Sequence, residues 1–201
     1  MSRDGDLKLS VISRNMDLVK VGGDGVTMSQ QYLPSHTFDT APQLDVLIVP
    51  GGVGSIDFLP GTESNNVDDY VDYVRKAYFG SGDKKPLKYI ISVCNGSILL
   101  IKAGILECKK ATTNKDLYYK IAELAPKTQW IGKARWVSDG NVWRTSGVSA
   151  GTDGFLALLS HLYGEELVEK IVNVMEWRRA KLPEDDPFAA VFETKDIAAK
   201  Q

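Results

Sequence analysis

Cys94 and Cys108 are the two thiols of the chain, and only the first has neighbours suited to make it a nucleophile. Cys94 lies where an apolar, β-rich run meets a helical one. Ser92 and Gly96 stand two residues to either side, small enough for the tight turn of a nucleophile elbow. The spacing is that of G-x-S-x-G with sulfur in place of the hydroxyl. At a helix N-terminus, unpaired backbone N–H groups and the helix dipole favour the thiolate, and the same N–H groups can hold an oxyanion. The alternative reading is a small buried hydrophobe, a common fate of free cysteine. Cys108, between Glu107 and Lys109 in a strand-like run, has no activating group.

Pro50-Gly51-Gly52-Val53-Gly54 also follows a strand, and its glycines let backbone N–H groups approach a ligand or a developing negative charge. A plain turn is the alternative. The segment lacks the third glycine of a dinucleotide fingerprint, and no Lys-Ser or Lys-Thr pair follows, which argues against phosphate binding. His36 and His161 lie far apart, in no spacing that pairs either with a cysteine or carboxylate, so no structural metal site is expected. Trp130, Trp136, Trp143 and Trp177 read as core and hairpin packing, because no basic residues interleave with them as a nucleic-acid surface requires. Arg178-Arg179 reads as a solvated helix end.

These residues must be positioned by a chain of 201 residues, 43% hydrophobic and 25% charged, which suits one globular domain over 1–201. Its core is expected over about 7–180, with 181–201 an irregular tail. With 24 basic and 26 acidic residues the chain has no broad basic field for nucleic acid or anionic lipid. No apolar run approaches the roughly 20 residues of a membrane helix, and two cysteines make no disulfide framework, so a cytoplasmic location is expected.

Strands alternating with helix-period segments predict a parallel sheet covered by helices. Leu7 to Ser13 alternates as a strand, and Asp45 to Val49 reads as a central strand buried on both faces. Ser64 to Phe79 repeats apolar residues at three- and four-residue intervals, predicting an amphipathic helix stopped by Gly80. Leu87 to Val93 is the next buried strand, leading through Cys94 into a helix that Gly104 ends. Leu117 to Leu124 forms a helix before Pro126, and Trp136 to Trp143 a hairpin, its Asp139-Gly140 suited to a type I′ turn. Ser149 is placed to cap a helix bearing Phe155, Leu158, Leu159 and Leu162, with Asp153 near its positive end. Glu165 to Arg178 is the last helix.

Four blocks in this order resemble the DJ-1/PfpI superfamily and, within it, the isonitrile hydratase-like branch, fungal members especially. They run from Phe38-Asp39-Thr40-Ala41-Pro42 to Val49-Pro50-Gly51-Gly52, then Ser92-Val93-Cys94-Asn95-Gly96. The third spans Ala103-Gly104-Ile105-Leu106 to Ala111-Thr112-Thr113-Asn114-Lys115. The fourth spans Ala134-Arg135-Trp136-Val137 to Thr145-Ser146-Gly147-Val148-Ser149-Ala150-Gly151-Thr152-Asp153, and the ending Asp186-Pro187-Phe188-Ala189 is similar too. The resemblance implies a flavodoxin-like α/β three-layer sandwich of the class I glutamine amidotransferase type, usually a homodimer. It implies Cys94 as nucleophile and backbone N–H groups near Gly51, Gly52 and Asn95 stabilising charge.

Three departures bear on activity. Asn114 stands where many bacterial relatives have histidine, and Asn95 where threonine often follows the nucleophile. Leu7 to Ser13 matches the family's second strand, so the first strand and its helix, which normally bring an acidic residue to the cysteine, are expected to be absent. Asp153 is the first carboxylate to test as a replacement.

The expected function is a cofactor-free cysteine enzyme resembling isonitrile hydratase, acting on a small electrophile; glyoxalase-like or amide-hydrolysing activity belongs to the same scaffold. A non-catalytic or redox-sensing relative is the alternative from another class. A ligand-binding domain of a transcription regulator is a third, disfavoured because the sandwich uses the whole length. Mass-spectrometric mapping after brief iodoacetamide treatment near neutral pH should find Cys94 labelled before Cys108; the reverse order would remove the elbow assignment.

Overall fold

Residues 7–21, 30–58 and 68–200 are described by a computed structural model. The chain divides into two compact units, Met1–Leu44 and Asp45–Gln201. The first holds β1 (Ile12–Ser13), β2 (Val19–Lys20), β3 (Gln31–Tyr32) and β4 (His36–Thr37). β1 runs parallel to β4, and β2 antiparallel to β3. Only the end of the predicted Leu7–Ser13 strand is therefore strand, because the ladder with β4 pairs just Ile12 and Ser13.

The second unit holds the catalytic candidates. Its elements are β5 (Val46–Val49), α1 (Asp68–Phe79), β6 (Tyr89–Ser92), α2 (Ser97–Lys102), β7 (Lys110–Ala111), α3 (Tyr118–Glu123) and β8 (Gln129–Trp130). There follow β9 (Trp136–Asp139), β10 (Val142–Thr145), α4 (Val148–Tyr163), α5 (Glu165–Val174) and α6 (Phe188–Val191). The main sheet has the order β5-β6-β10-β9, with β5, β6 and β10 parallel and β9 antiparallel. β5, predicted as a central strand, is thus an edge strand among the described residues, and Ile48 is 43% exposed. Its apolar sequence reflects burial of Val49, which the structure leaves 3% exposed, rather than cover on every side.

Side chains alternate across the strands, so β6 and β10 feed two helical layers. Ile91, Trp143 and Trp136 pack with Leu158 and Phe155 of α4 on one face. On the other, Tyr78 of α1 donates its hydroxyl to Asn141 Oδ1 at 2.9 Å, and α1 packs on α2. This is the three-layer α/β arrangement. Trp130, Trp136 and Trp143 are buried, as their reading as packing residues requires. No described helix is long and apolar enough to cross a membrane.

Several boundaries move for local reasons. α1 begins its described part at Asp68; residues 64–67 of the predicted helix lie outside the described residues. In the β9–β10 hairpin Asp139 pairs with Val142, so the corners are Gly140 and Asn141. Only Gly140 has positive φ, 61°, the pattern of a II′ turn rather than the predicted I′. Gly147, not Ser149, caps α4, and Ser149 sits inside the first turn. Cys108 lies in a turn before β7, with φ 58°, rather than in a strand.

α5 stops at Val174 because Glu176 takes a left-handed φ of 50° and the Trp177 N–H returns to the Val172 carbonyl at 3.1 Å, turning the indole inward. Arg179, expected in solvent, is a buried side chain paired with Glu165 at 2.9 Å. The last residues, expected to be an irregular tail, carry α6 and pair Ile197 with Trp130 through mutual backbone hydrogen bonds of 2.9 Å. Polar groups in that segment, Asp186 and Thr194 among them, are buried and find partners on the core, which sequence periodicity cannot signal.

Arg144 of β10 stands beside Ser92 in the sheet register and is fully buried. Its Nη1 donates to the Val142 carbonyl at 2.5 Å, but among the described residues Nε and Nη2 have no hydrogen-bond partner, nor does the Ser92 hydroxyl. Desolvation pulls the guanidinium down to about 10, against the attraction of Asp139 and Tyr78, so it remains charged at neutral pH. A buried charge with an incomplete set of partners opposes folding. Arg144→Met should raise stability by about 1–4 kcal/mol, the range seen when buried ionic groups give way to apolar ones, read as a higher thermal midpoint.

Candidate functional site

The site is built on backbone strain at one residue. Cys94 has φ 59°, left-handed and unusual for a side chain with a Cβ, and costs about 1–2 kcal/mol that its surroundings must supply. It opens a 3-10 turn, Cys94–Gly96, between the end of β6 and the start of α2, and its side chain is partly exposed. Four hydrogen bonds fix the turn. The Val93 N–H donates to the Val49 carbonyl and the Gly96 N–H to the Val93 carbonyl, both at 2.9 Å. Thr113 Oγ1 donates to the Cys94 carbonyl at 3.0 Å and lies 2.7 Å from Ser97 Oγ.

Glycine is required at position 96 by close approach. A Cβ there would stand 2.6 Å from the Val49 carbonyl oxygen and 2.7 Å from that of Pro50. The tip of β5 therefore packs directly on the elbow, which brings Gly51 and Gly52 to the cysteine side. Gly51 is equally confined: an added Cβ would fall 2.8 Å from that of Cys94.

Asn95 links the two segments. Its Oδ1 accepts from the Gly52 N–H at 2.8 Å and its Nδ2 donates to the Gly52 carbonyl at 3.0 Å. Asn95 is buried while Gly52 stays exposed, so the bonds tie an exposed loop to the elbow. The Gly52 N–H, expected to face a developing charge, is thus engaged by a side chain of the elbow itself. No backbone hydrogen bond of the described residues uses the Asn95 N–H, the group that follows the nucleophile. No described residue hydrogen-bonds the Cys94 sulfur.

Asp153 lies on α4, where its carboxylate is filled. Arg135 places Nη2 at 2.6 Å and Nε at 2.8 Å from Oδ2, while Oδ1 accepts from Trp177 Nε1 at 2.8 Å and the Ala180 N–H at 3.3 Å. Arg135 also reaches Ser149 Oγ at 3.3 Å. Asn114 turns its Oδ1 to the Leu117 N–H at 3.3 Å, ahead of α3. The structure joins Cys94, Gly51, Gly52 and Asn95 in one elbow and ties Asp153 into a separate polar cluster. Thr113 and Arg135 carry no chemical signal in the sequence beyond membership of the blocks Ala111 to Lys115 and Ala134 to Val137. Among the described residues no group of three or more His, Cys, Asp or Glu side chains could hold a metal ion.

Both the sequence and the fold have counterparts among known proteins. Isonitrile hydratase of Pseudomonas putida is 31% identical over 175 residues, covering 84% of this chain and 70% of that protein. A ThiJ/PfpI family protein from Pseudomonas syringae superposes with TM-score 0.66 at 27% identity, over 86% of this chain; the chain spans only 64% of its length. Drosophila melanogaster DJ-1beta gives TM-score 0.57 at 21% identity over 73% of each chain, a likeness of fold. Residues 2–161 match the DJ-1/PfpI family throughout, and with these relatives the chain belongs to that family.

Proposed function

We propose that the chain is a cofactor-free cysteine enzyme that hydrates an isonitrile to an N-substituted formamide. The observation that carries this reading is the left-handed Cys94 at a strand-to-helix elbow, its side chain partly exposed. Similarity to isonitrile hydratase supports the substrate class. The Cys94 thiolate adds to the terminal carbon of the isonitrile, and a proton delivered to the same carbon gives a thioimidate. Water then adds to that carbon, the C–S bond breaks, the nitrogen takes a proton, and the formamide leaves with the thiol restored. The working form in this reading is a homodimer.

Proton delivery is the weak step. General acid–base help is worth about 10² to 10⁴ in rate, and the one carboxylate singled out, Asp153, is committed to Arg135 and Trp177. The engaged Gly52 N–H favours a second reading, a family member that binds an electrophile at Cys94 without turning it over.

Formamide production from cyclohexyl or aryl isonitriles separates the two. Wild-type turnover should be slow and should vanish in Cys94→Ala; turnover untouched by that change would refute the mechanism. Asn95→Ala frees the Gly52 N–H and should raise a slow rate by about 10²-fold if that group then serves as an oxyanion donor. No product from either protein, with Cys94 still alkylated selectively, would favour the binding reading. Asp153→Asn should lower the thermal midpoint as well as any turnover, since it breaks a buried ion pair worth about 3–5 kcal/mol to disrupt.

A further inference from the structure

Two sequence blocks have no role in the chemistry above: Thr112-Thr113-Asn114-Lys115 and Asp186-Pro187-Phe188-Ala189. The structure brings them together. Lys115 Nζ lies 3.0 Å from Asp186 Oδ2, and both side chains are almost wholly buried. At that distance the contact joins opposite charges in a site shielded from solvent. The ammonium's aligned bonds go to neutral oxygens: the Gly132 carbonyl at 2.7 Å, the Ala134 carbonyl at 2.9 Å and Thr112 Oγ1 at 3.2 Å. Asp186 is therefore the anion that neutralises Lys115, and it is supplied from 71 residues further along the chain.

Asp186 belongs to a C-terminal strap over residues 183–197. The Pro183 carbonyl accepts from the Arg135 N–H at 2.7 Å at one end, and Ile197 pairs with Trp130 at the other. Between them Thr194 Oγ1 donates to the Gly132 carbonyl at 2.9 Å, the same oxygen that receives Lys115. Lys115 in turn is two residues from Thr113, whose hydroxyl holds the carbonyl of strained Cys94. A continuous path of contacts runs from the strap to the elbow.

We propose that Lys115 and Asp186 are positioning residues: their buried ion pair fastens the strap to the 112–115 loop, and through Thr113 that loop holds the Cys94 elbow in its reactive shape. The proposal rests on Cys94 being the reactive thiol, not on which electrophile it takes. A strained left-handed residue survives only where its neighbours over-determine it, and among the described residues Thr113 is the one side chain bonded to its carbonyl. Loosening the loop lets that carbonyl rotate and the elbow relax.

A double-mutant cycle on the full chain tests this, with iodoacetamide as probe and exposed Cys108 as internal reference. Asp186→Asn and Thr113→Val should each slow Cys94 labelling about tenfold relative to Cys108, the loss expected of one charge-assisted or strain-bearing contact. The double variant should be no slower than Thr113→Val alone. Fully additive slowing, or an Asp186→Asn protein with a lower thermal midpoint and an unchanged Cys94 rate, would overturn the proposal. If Asp186→Asn cannot be purified folded, Lys115→Met with Asp186→Leu replaces the ion pair by apolar groups. Slowing that disappears in the Thr113→Val background then supports the coupling, and an unchanged rate overturns it. Isonitrile turnover measured in parallel keeps the two readings apart: its absence in wild type with the coupling intact removes only the hydration chemistry. Equal labelling of Cys94 and Cys108 in wild type removes both.

Discussion

Everything at this site follows from a backbone held at positive φ under a side chain that disfavours it. Cys94 can project from the strand-to-helix turn only because β5 approaches from one side, α2 begins on the other, and Thr113 grips its carbonyl from a third. Each approach imposes a residue type. Gly96 is demanded by carbonyls at the tip of β5, and Gly51 by the nearness of Cys94 itself. The apolar parallel strands are the rigid part of this arrangement, and the short loops between them supply the polar groups that lock it.

Buried cations act as fasteners between separate segments. Lys115 joins its loop to the strap through Asp186, Arg135 joins the chain before β9 to α4 through Asp153, and Arg179 joins the chain after α5 back to Glu165. Burying the pairs of Lys115 and Arg135 is costly in itself, and an apolar pair can serve stability as well, whereas Glu165 keeps its carboxylate half exposed. Their geometry, however, is directional, so they fix where each segment sits. Arg144 is different: it is buried as deeply, shares the register position of Ser92, and has an incomplete set of partners.

At the elbow the same economy of polar groups limits the chemistry. A carboxamide that satisfies both backbone groups of Gly52 makes the loop well ordered, and it also occupies a donor that an oxyanion would need. Order before binding and availability during reaction pull in opposite directions here. The balance between them separates a turnover enzyme from a binding protein on one fold.

Much was legible in the sequence because it is local. The elbow around Cys94, the hairpin after Trp136, the amphipathic α1 and the helix carrying Leu158 follow from spacing, turn residues and apolar period, which depend on neighbours a few residues apart. The family was legible from the order of its blocks. What the sequence could not decide were meetings at long range: β5 at a sheet edge, Asn95 on Gly52, Arg135 on Asp153, and Asp186 on Lys115. A charged residue in a list of residues reads as solvated, since exposure is the common case. Whether it is instead buried depends on which opposite charge the fold carries to it, and that is fixed only when the sheet, the helices and the strap close around one another.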